Sequence, residues 1–421
     1  MLEQTLETGV GDLIGQQTLD RLSSNALAGM RFDLGWQSAI ARHTDSFASA
    51  WINMWRDIFP PELEAQLMGM PVGHCVRHDF PPGGLLTPWR EDRLRSIPGK
   101  QFNRNFTRRG TVQPRTGRFY PAGILQGMDS ILQTDPHPVR LAGVDNDRLL
   151  VDLNHPLADK TLSFEVRIEE IRSIGDERGG RRNEIGVLVA ANGPGMQTRW
   201  RDTPTDFWSE LPLGRKDPRP DSAFYDEPRF VDHIDSTAIA EITGLYGRLI
   251  KPGARILDLV SSWQAHLPAT LFSAEVTGLG MNQAELDANP ILNERLIHDL
   301  NMTPTLPFGN TSFDAIICTV SVEYLIDPFA VFREAARVLR PGGRFIVTFS
   351  NRWFPPKVIQ LWKGIHEFER AGLILEYFLE SGLYRNLETW SMRGLPRPRE
   401  DKYADRLLLS DPVHAVWGEK A

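Results

Sequence analysis

One stretch of this sequence, 228–421, alternates helical and buried-strand patterns, and few folds satisfy that alternation. Over 236–249, Ile239, Ile242, Leu245, Tyr246 and Leu249 recur at helical spacing behind Asp235 and Ser236 as N-cap residues. The pattern stops at Lys251-Pro252-Gly253. Residues 255–260, RILDLV, are continuously apolar except for Asp258, as expected of a strand buried on both faces. Further short strands are expected at 275–279, 314–319 and 344–349, with a helix over 328–339 closed by Arg340-Pro341-Gly342-Gly343 and a last strand at 413–417. Such an order implies a parallel sheet with crossover helices, whose ligands bind at the carboxyl ends of the strands.

The chain has 421 residues, which suggests two or three domains at about 100–200 residues each. Its texture divides it at 1–171, a connector over 172–227, and 228–421. Hydrophobic residues at 41% and charged residues at 24% fit a globular protein. The opening MLEQTLETGVGDLIGQQ carries acids and no Lys or Arg, unlike a signal peptide, and no stretch reaches the ~18 apolar residues of a membrane span. A cytoplasmic protein without membrane contact is the expectation. A net charge of -7 argues against broad nucleic-acid binding, which rests on phosphate neutralisation. The Arg-rich run 393–406, diluted by Glu400, Asp401 and Asp405, reads as a solvated loop. Cys75 and Cys318 lie in different domains and read as buried small hydrophobes, outside any disulfide framework. No metal is expected: His74 and His78, flanking Cys75, would stand about 13 Å apart on a strand, too far to share one ion.

Four segments carry a family resemblance: RILDLV, VTGLGMN, TLPFGNTSFDAIICTVSVEYLIDP and FREAARVLRPGGRFIVTFSNR. Together they resemble the class I S-adenosylmethionine (SAM)-dependent methyltransferases over nearly all of 228–421. The resemblance implies a Rossmann-like seven-stranded α/β domain with SAM as cofactor. Members follow the first strand with a glycine-rich loop, so that backbone approaches the cofactor without a Cβ in the way. Here Asp258 is followed by Leu259, Val260, Ser261, Ser262, Trp263, Gln264, Ala265 and His266, with no glycine. In one reading Ser261 and Ser262 offer hydroxyls to the cofactor, Trp263 a flat face, and His266 lines the pocket. In the other, Val260 and Trp263 pack inward and the domain is a scaffold without cofactor.

Members also end the second strand with an acid that accepts bonds from the ribose hydroxyls. That position falls on Gly280 in Gly278-Leu279-Gly280-Met281-Asn282. Asn282 offers one neutral acceptor, and Glu285 lies a few residues into the next helix. Asp299-Leu300-Asn301 resembles the element that bonds adenine, with a solvated or helix-capping Asp299 as the alternative, and Thr319, Val320 and Ser321 fall where members face the methionine part. Glu323, Tyr324 and His266 are the candidates for a base or an acceptor-orienting group, although transfer to an already nucleophilic atom needs chiefly alignment.

In the first half, PPELEAQLMGMPVGHCVRHDFPP resembles the FKBP-type prolyl isomerases. The segment GRFYPAGIL, continuing into VRLAGVDNDRLLVDLNHPLADKTLSFEVRIEEI, resembles their SlyD branch. This resemblance covers about 58–171 and implies an α+β FKBP-like barrel with a flap inserted at about 101–153. It places Phe164 and Leu63 in the proline pocket, and a peptide or protein client on the flap around 118–140. Leu85 and Leu86 stand where members carry a tyrosine. Residues 29–57, rich in Trp36, Phe47, Trp51 and Trp55, read as helical or as a rebuilt core. In the connector, 187–197 reads as an apolar strand ending in Gly193-Pro194-Gly195, a turn that is either punctuation alone or a cover over the cofactor mouth. Three functions fit: a methyltransferase with a client-binding accessory domain, a non-catalytic chaperone or assembly protein, and a prolyl isomerase with a silent methyltransferase domain.

Overall fold

Alternating burial builds the first element, β1 (Ala26–Gln37), which turns Ala26, Ala28, Met30, Phe32, Leu34 and Trp36 inward. A tight turn returns the chain as β2 (Arg42–Asn53), antiparallel to β1 from Leu27↔Asn53 to Gln37↔Arg42. Of the two readings of 29–57, helical or a rebuilt core, this hairpin rules out the helical one; the period-two pattern, not the tryptophans, was the informative signal. The structure is a computed structural model and describes residues 18–106, 111–129, 131–145, 147–173, 180–208, 211–271 and 273–421. The reading of the first seventeen residues lies outside these.

After α1 (Pro61–Leu67) and β3 (Cys75–Phe80), the chain forms a separate antiparallel sheet. Its strands β4 (Leu94–Pro98), β5 (Phe119–Pro121), β6 (Pro138–Asp145) and β7 (Arg148–Asp152) run in the order β4-β7-β6-β5 around Ile97, Phe102, Leu141 and Val151. The chain then returns as β8 (Leu162–Ser173), between β1 and β3. The order β2-β1-β8-β3 is an open sheet, so the expected barrel does not close among the described residues. The helix α2 (Ile185–Ala190) covers this sheet and stands where a strand was expected; a six-residue apolar run suits either state.

The second half begins with α3 (Asp221–Phe224) and α4 (Ser236–Leu249), the latter capped by the Asp235 carboxylate on the Ala238 N–H. It continues through β9 (Arg255–Ser261), β10 (Glu275–Gly280), α5 (Gln283–Ala288), β11 (Glu294–Ile297), β12 (Phe313–Thr319), α6 (Pro328–Val338) and β13 (Leu339–Phe349). It ends with α7 (Gln360–Lys363), α8 (Glu367–Ser381), β14 (Tyr384–Arg393) and β15 (Val413–Lys420). Strand order is β11-β10-β9-β12-β13-β15-β14, parallel from β11 to β13 and antiparallel at β15. This is the Rossmann-like seven-stranded arrangement. Residues 340–343 bulge out where the β12–β13 register jumps from Leu339 to Arg344. A Cβ on Gly343 would meet the carbonyls of Arg340 and Asp314 at 2.9 Å, so only glycine fits the bulge.

The sheet does not stop at β14. That strand pairs in parallel with β2, from Glu388↔Arg42 to Arg393↔Phe47, joining both halves into one eleven-stranded sheet. Buried polar bonds fix the joint: His43 Nδ1 to Thr389 Oγ1 at 2.7 Å, and Asp45 accepting from the Ser391 hydroxyl and the Trp36 indole, both at 3.0 Å. Arg393 donates to the carbonyls of Val189 and Ala191, and Arg397 pairs with Asp235, Asp401 and Asp411. The run 393–406 is therefore anchored at these two residues rather than wholly solvated, because Arg393 finds backbone carbonyls and Arg397 finds acids inside and outside the run.

The small sheet docks on α8. Arg118 Nε and the Phe119 N–H both bond Glu369 Oε1 at 2.9 Å. Arg118 and Arg140 are buried, so the ends of the expected client-binding segment face protein instead of solvent. Of the cysteines, Cys318 is buried, whereas Cys75 is half-buried and bonds Glu165.

Candidate functional site

The strand order reverses direction between β9 and β12: the chain leaves β9 toward β10 on one side and β12 toward β13 on the other. Such a switch point opens a crevice at the strands' carboxyl ends. Both strands leave it through a β-branched residue in the left-handed region, Val260 at φ 61° and Val320 at φ 48°, and His266 follows at φ 54°. That conformation is strained for valine, and strain of this kind gathers at functional sites.

Across this edge runs the connector, expected to be loop and found to be a strap. Gln360 and Leu361 donate to the carbonyls of Gly214 and Pro212, and the Asp217 N–H bonds Pro356 O. Next, Asp221 sits between Arg215, the buried Lys357 ammonium and Asn301. Burial alone would raise the Asp221 carboxyl; Arg215, Asn301 and Lys357 outweigh it and hold the group below its ordinary range. Tyr225 and Asp226 then accept from Asn282 at 3.0 and 2.9 Å, the Arg229 N–H bonds Glu285, and Val231 O accepts from the Trp263 indole at 3.3 Å. The strap thereby touches the ends of β11, β10 and β9 in turn.

The residues singled out in the sequence divide into three groups. Buried are Asp258, Ser261, Gly278 and Gly280 in the sheet and Leu300 in the turn after β11. Asp258 accepts from the Ser261 hydroxyl at 2.5 Å, and burial pushes its carboxyl up to about 7, against the pull of that bond. A Cβ on Gly280 would overlap the Ser261 carbonyl, so this glycine serves strand pairing rather than a cofactor. Held by the chain's own polar groups are Ser262 on Glu285 (2.6 Å), Trp263, Asn282, Asn301 on Asp221 and the Tyr324 carbonyl, Thr319 on the Tyr246 hydroxyl (2.6 Å), and Ser321 on Thr319 O. Val320 is tied back through its N–H to Thr348 O.

Met281, Asn282 and Asp299 line open space. They border a groove of about 580 Å³ at the ends of β10 and β11, completed by Ile297 and His298 and by Ser222, Asp226 and Pro228 of the strap. A volume of roughly 300–1,000 Å³ suits a small ligand or cofactor. Met281 and Ile297 supply apolar walls, and Asp226, Asn282 and Asp299 supply polar edges, a lining that fits a nucleoside.

Of the catalytic candidates, Glu323 is 0% exposed, neither carboxylate oxygen has a partner, and burial pushes it up to about 8. The Tyr324 hydroxyl accepts from the Phe354 N–H at 2.9 Å. His266 Nδ1 is buried and unpartnered, and burial holds the ring below its ordinary value. Sequence reasoning missed Asp221, Tyr225, Asp226 and Arg229, whose guanidinium lies over Phe224, Tyr225 and Phe354 at 4.6, 5.8 and 5.6 Å. Their setting, DSAFYDEPRF, carries no helical or strand period that would have marked them.

In the first half, Phe164 and Leu63 are fully buried in one core with Ile185, Val189 and Ala190 of α2. The proline pocket that resemblance assigned to them is filled by the chain. Gly193, of the Gly-Pro-Gly turn, packs on His366 and Phe368 at the start of α8, not over the groove.

Comparison with known proteins places residues 261–347 in a methyltransferase-domain family. A methyltransferase of Streptomyces halstedii, GfsG, is 31% identical over 136 residues, covering 30% of this chain and 48% of that protein. The FKBP-type peptidyl-prolyl cis-trans isomerase SlyD of Treponema pallidum is 32% identical over 117 residues, covering 28% of this chain and 58% of that one. The chain thus spans about half the length of these curated relatives. A SAM-dependent methyltransferase structure from Thermotoga maritima aligns with 45% of this chain and 90% of its own, at 13% identity and a TM-score of 0.33. Within the C-terminal part, the seven-stranded Rossmann-like sheet thus holds a segment that matches a methyltransferase domain.

Proposed function

We propose that this chain is a SAM-dependent methyltransferase whose cofactor binds in the groove between the strap and the ends of β10 and β11. The observation that carries the reading is the groove itself, which opens beside the switch point and is lined for a nucleoside. Bound there, the cofactor supplies an electrophilic methyl group. The chain's residues would do the rest: Met281 and Ile297 would flank the base, the strap would exclude water, and the turn through Val320 to Tyr324, at the end of β12, would face the acceptor.

Glu323 keeps its proton at neutral pH, because burial favours the uncharged form. It is then a hydrogen-bond donor, suited to orienting an acceptor oxygen or nitrogen once the strap lifts, and not to removing a proton. Infrared difference spectra at pH 7, wild type minus Glu323→Gln, should show the stretch of a neutral carboxylic acid; a carboxylate band instead would refute this role.

A second reading has one observation in its favour: the strap satisfies Trp263, Asn282 and Asn301, as a closed scaffold would. Calorimetric titration of the full chain with S-adenosylhomocysteine separates the two. Saturable binding with a rise in Tm is expected, about 2.7 kcal/mol at a ligand concentration 100 times Kd. No heat at millimolar ligand would leave the scaffold reading standing. In the N-terminal half, a client-binding role rests on exposed apolar residues such as Val72 and Leu132, since the pocket is filled. Leu132→Asp should then weaken suppression of aggregation of a denatured protein; an unchanged effect would remove that role from this residue.

A further inference from the structure

The groove beneath the strap contains an asymmetry among its carboxylates. Three acids stand near the end of β10 and could accept bonds from a ligand. Glu285 is committed on both oxygens, Oε1 to the Arg229 N–H and Oε2 to the Ser262 hydroxyl. Asp299 uses Oδ1 for the N–H groups of Asn301 and Met302. Asp226 is different: among the described residues its carboxylate has no hydrogen-bond or ion-pair partner, and it lines the groove.

Its position is not a loop accident. Asn282 donates through Nδ2 to both the Tyr225 and Asp226 carbonyls, while its oxygen caps α5 at the Glu285 N–H. The amide is therefore occupied at both ends and is no free acceptor for a ligand. What it does is pin the backbone of Asp226 to the end of β10, where Gly280 leaves no side chain.

We propose that Asp226, delivered by the strap, is the carboxylate that reads the vicinal hydroxyl pair of a ribose in this groove. The proposal rests on the cofactor reading above and deepens it. A carboxylate can accept two O–H donors at once, and charge-assisted bonds of this kind are about twice as strong as neutral ones. Recognition of the sugar and closure of the strap then become one event, because the acid is present only while Asn282 holds the strap down.

The test uses the full chain and calorimetry, with S-adenosylhomocysteine, adenosine and 2′-deoxyadenosine as probes. Wild type should bind S-adenosylhomocysteine and prefer adenosine to 2′-deoxyadenosine about tenfold. Asp226→Asn should weaken S-adenosylhomocysteine at least tenfold and erase the preference for the ribose, with Tm unchanged since the residue is exposed; Asp226→Ser should behave alike. Wild-type affinity in both variants, or a retained ribose preference, would overturn the proposal while leaving the cofactor reading intact. Failure of the wild-type chain to bind S-adenosylhomocysteine would overturn both.

Discussion

The same connector closes a site in each half of the molecule, and it does so by opposite chemistry. Over the first half, α2 buries the side chains of Ile185 and Val189 as an apolar plug in the same core as Leu63 and Phe164. Over the second half, the strap lies on Asn282 through two hydrogen bonds and on Asn301 and Trp263 through one each, and leaves a groove beside them. A buried aliphatic side chain is worth about 1.5–3 kcal/mol against water, whereas an exchangeable hydrogen bond nets about 0.5–1.5 kcal/mol, because water or a ligand can replace it. The plug is therefore part of the core, and the strap is a cover that a ligand can displace.

The sharpest way to break this contrast is to empty the plug. Ile185→Ala should cost about 2–5 kcal/mol in denaturant unfolding of the full chain, without any acceleration of prolyl-peptide isomerisation. A gain of isomerase activity would show that the pocket is only covered.

The next largest effect concerns the carboxyl under the strap's floor. Asp258 has its folded pKa raised from 3.8 to about 7, so the fold favours its neutral form. Its contribution is complete below pH 3.8 and is lost as pH rises to about 7, on the order of a few kcal/mol. Asp258→Asn, which still accepts from Ser261, should remove that loss, so that the variant overtakes wild type near pH 8. Equal pH profiles would place an ionised, solvated carboxyl there.

Smaller is Asn282→Ala, which removes the cap of α5 and two strap bonds together and should cost about 1–2 kcal/mol. Limited proteolysis should then cut the strap first; unchanged cleavage would mean that the strap is held elsewhere. Trp263→Phe removes one indole bond to Val231 and should cost about 1 kcal/mol or less, read as a small Tm shift.

What was legible follows the same physical division. The α4 helix combines an apolar period with a cap and a breaker, so Asp235 and Gly253 mark its ends in the sequence, while β9 and β12 stand out as continuous apolar runs. The helix α8 escaped because it is buried almost all round, which flattens its period. Asp258 and the loop through Ser262 and Trp263 stood out as departures from a pattern, yet their partners Glu285 and Val231 lie more than twenty residues away. The strap was illegible because its carbonyls do the bonding, and backbone carries no residue signature.

The parallel pairing of β2 with β14 also sets a clock. His43 and Thr389 meet across 346 residues of chain, and a ribosome adding about 5–20 residues per second needs on the order of 20–70 s to cover that distance. Throughout that interval β2 offers an unpaired edge rich in hydrogen-bonding groups. The nascent chain must reach its last strands before its first ones are safe from foreign pairing, so slow translation through the middle of the chain would favour aggregation over folding.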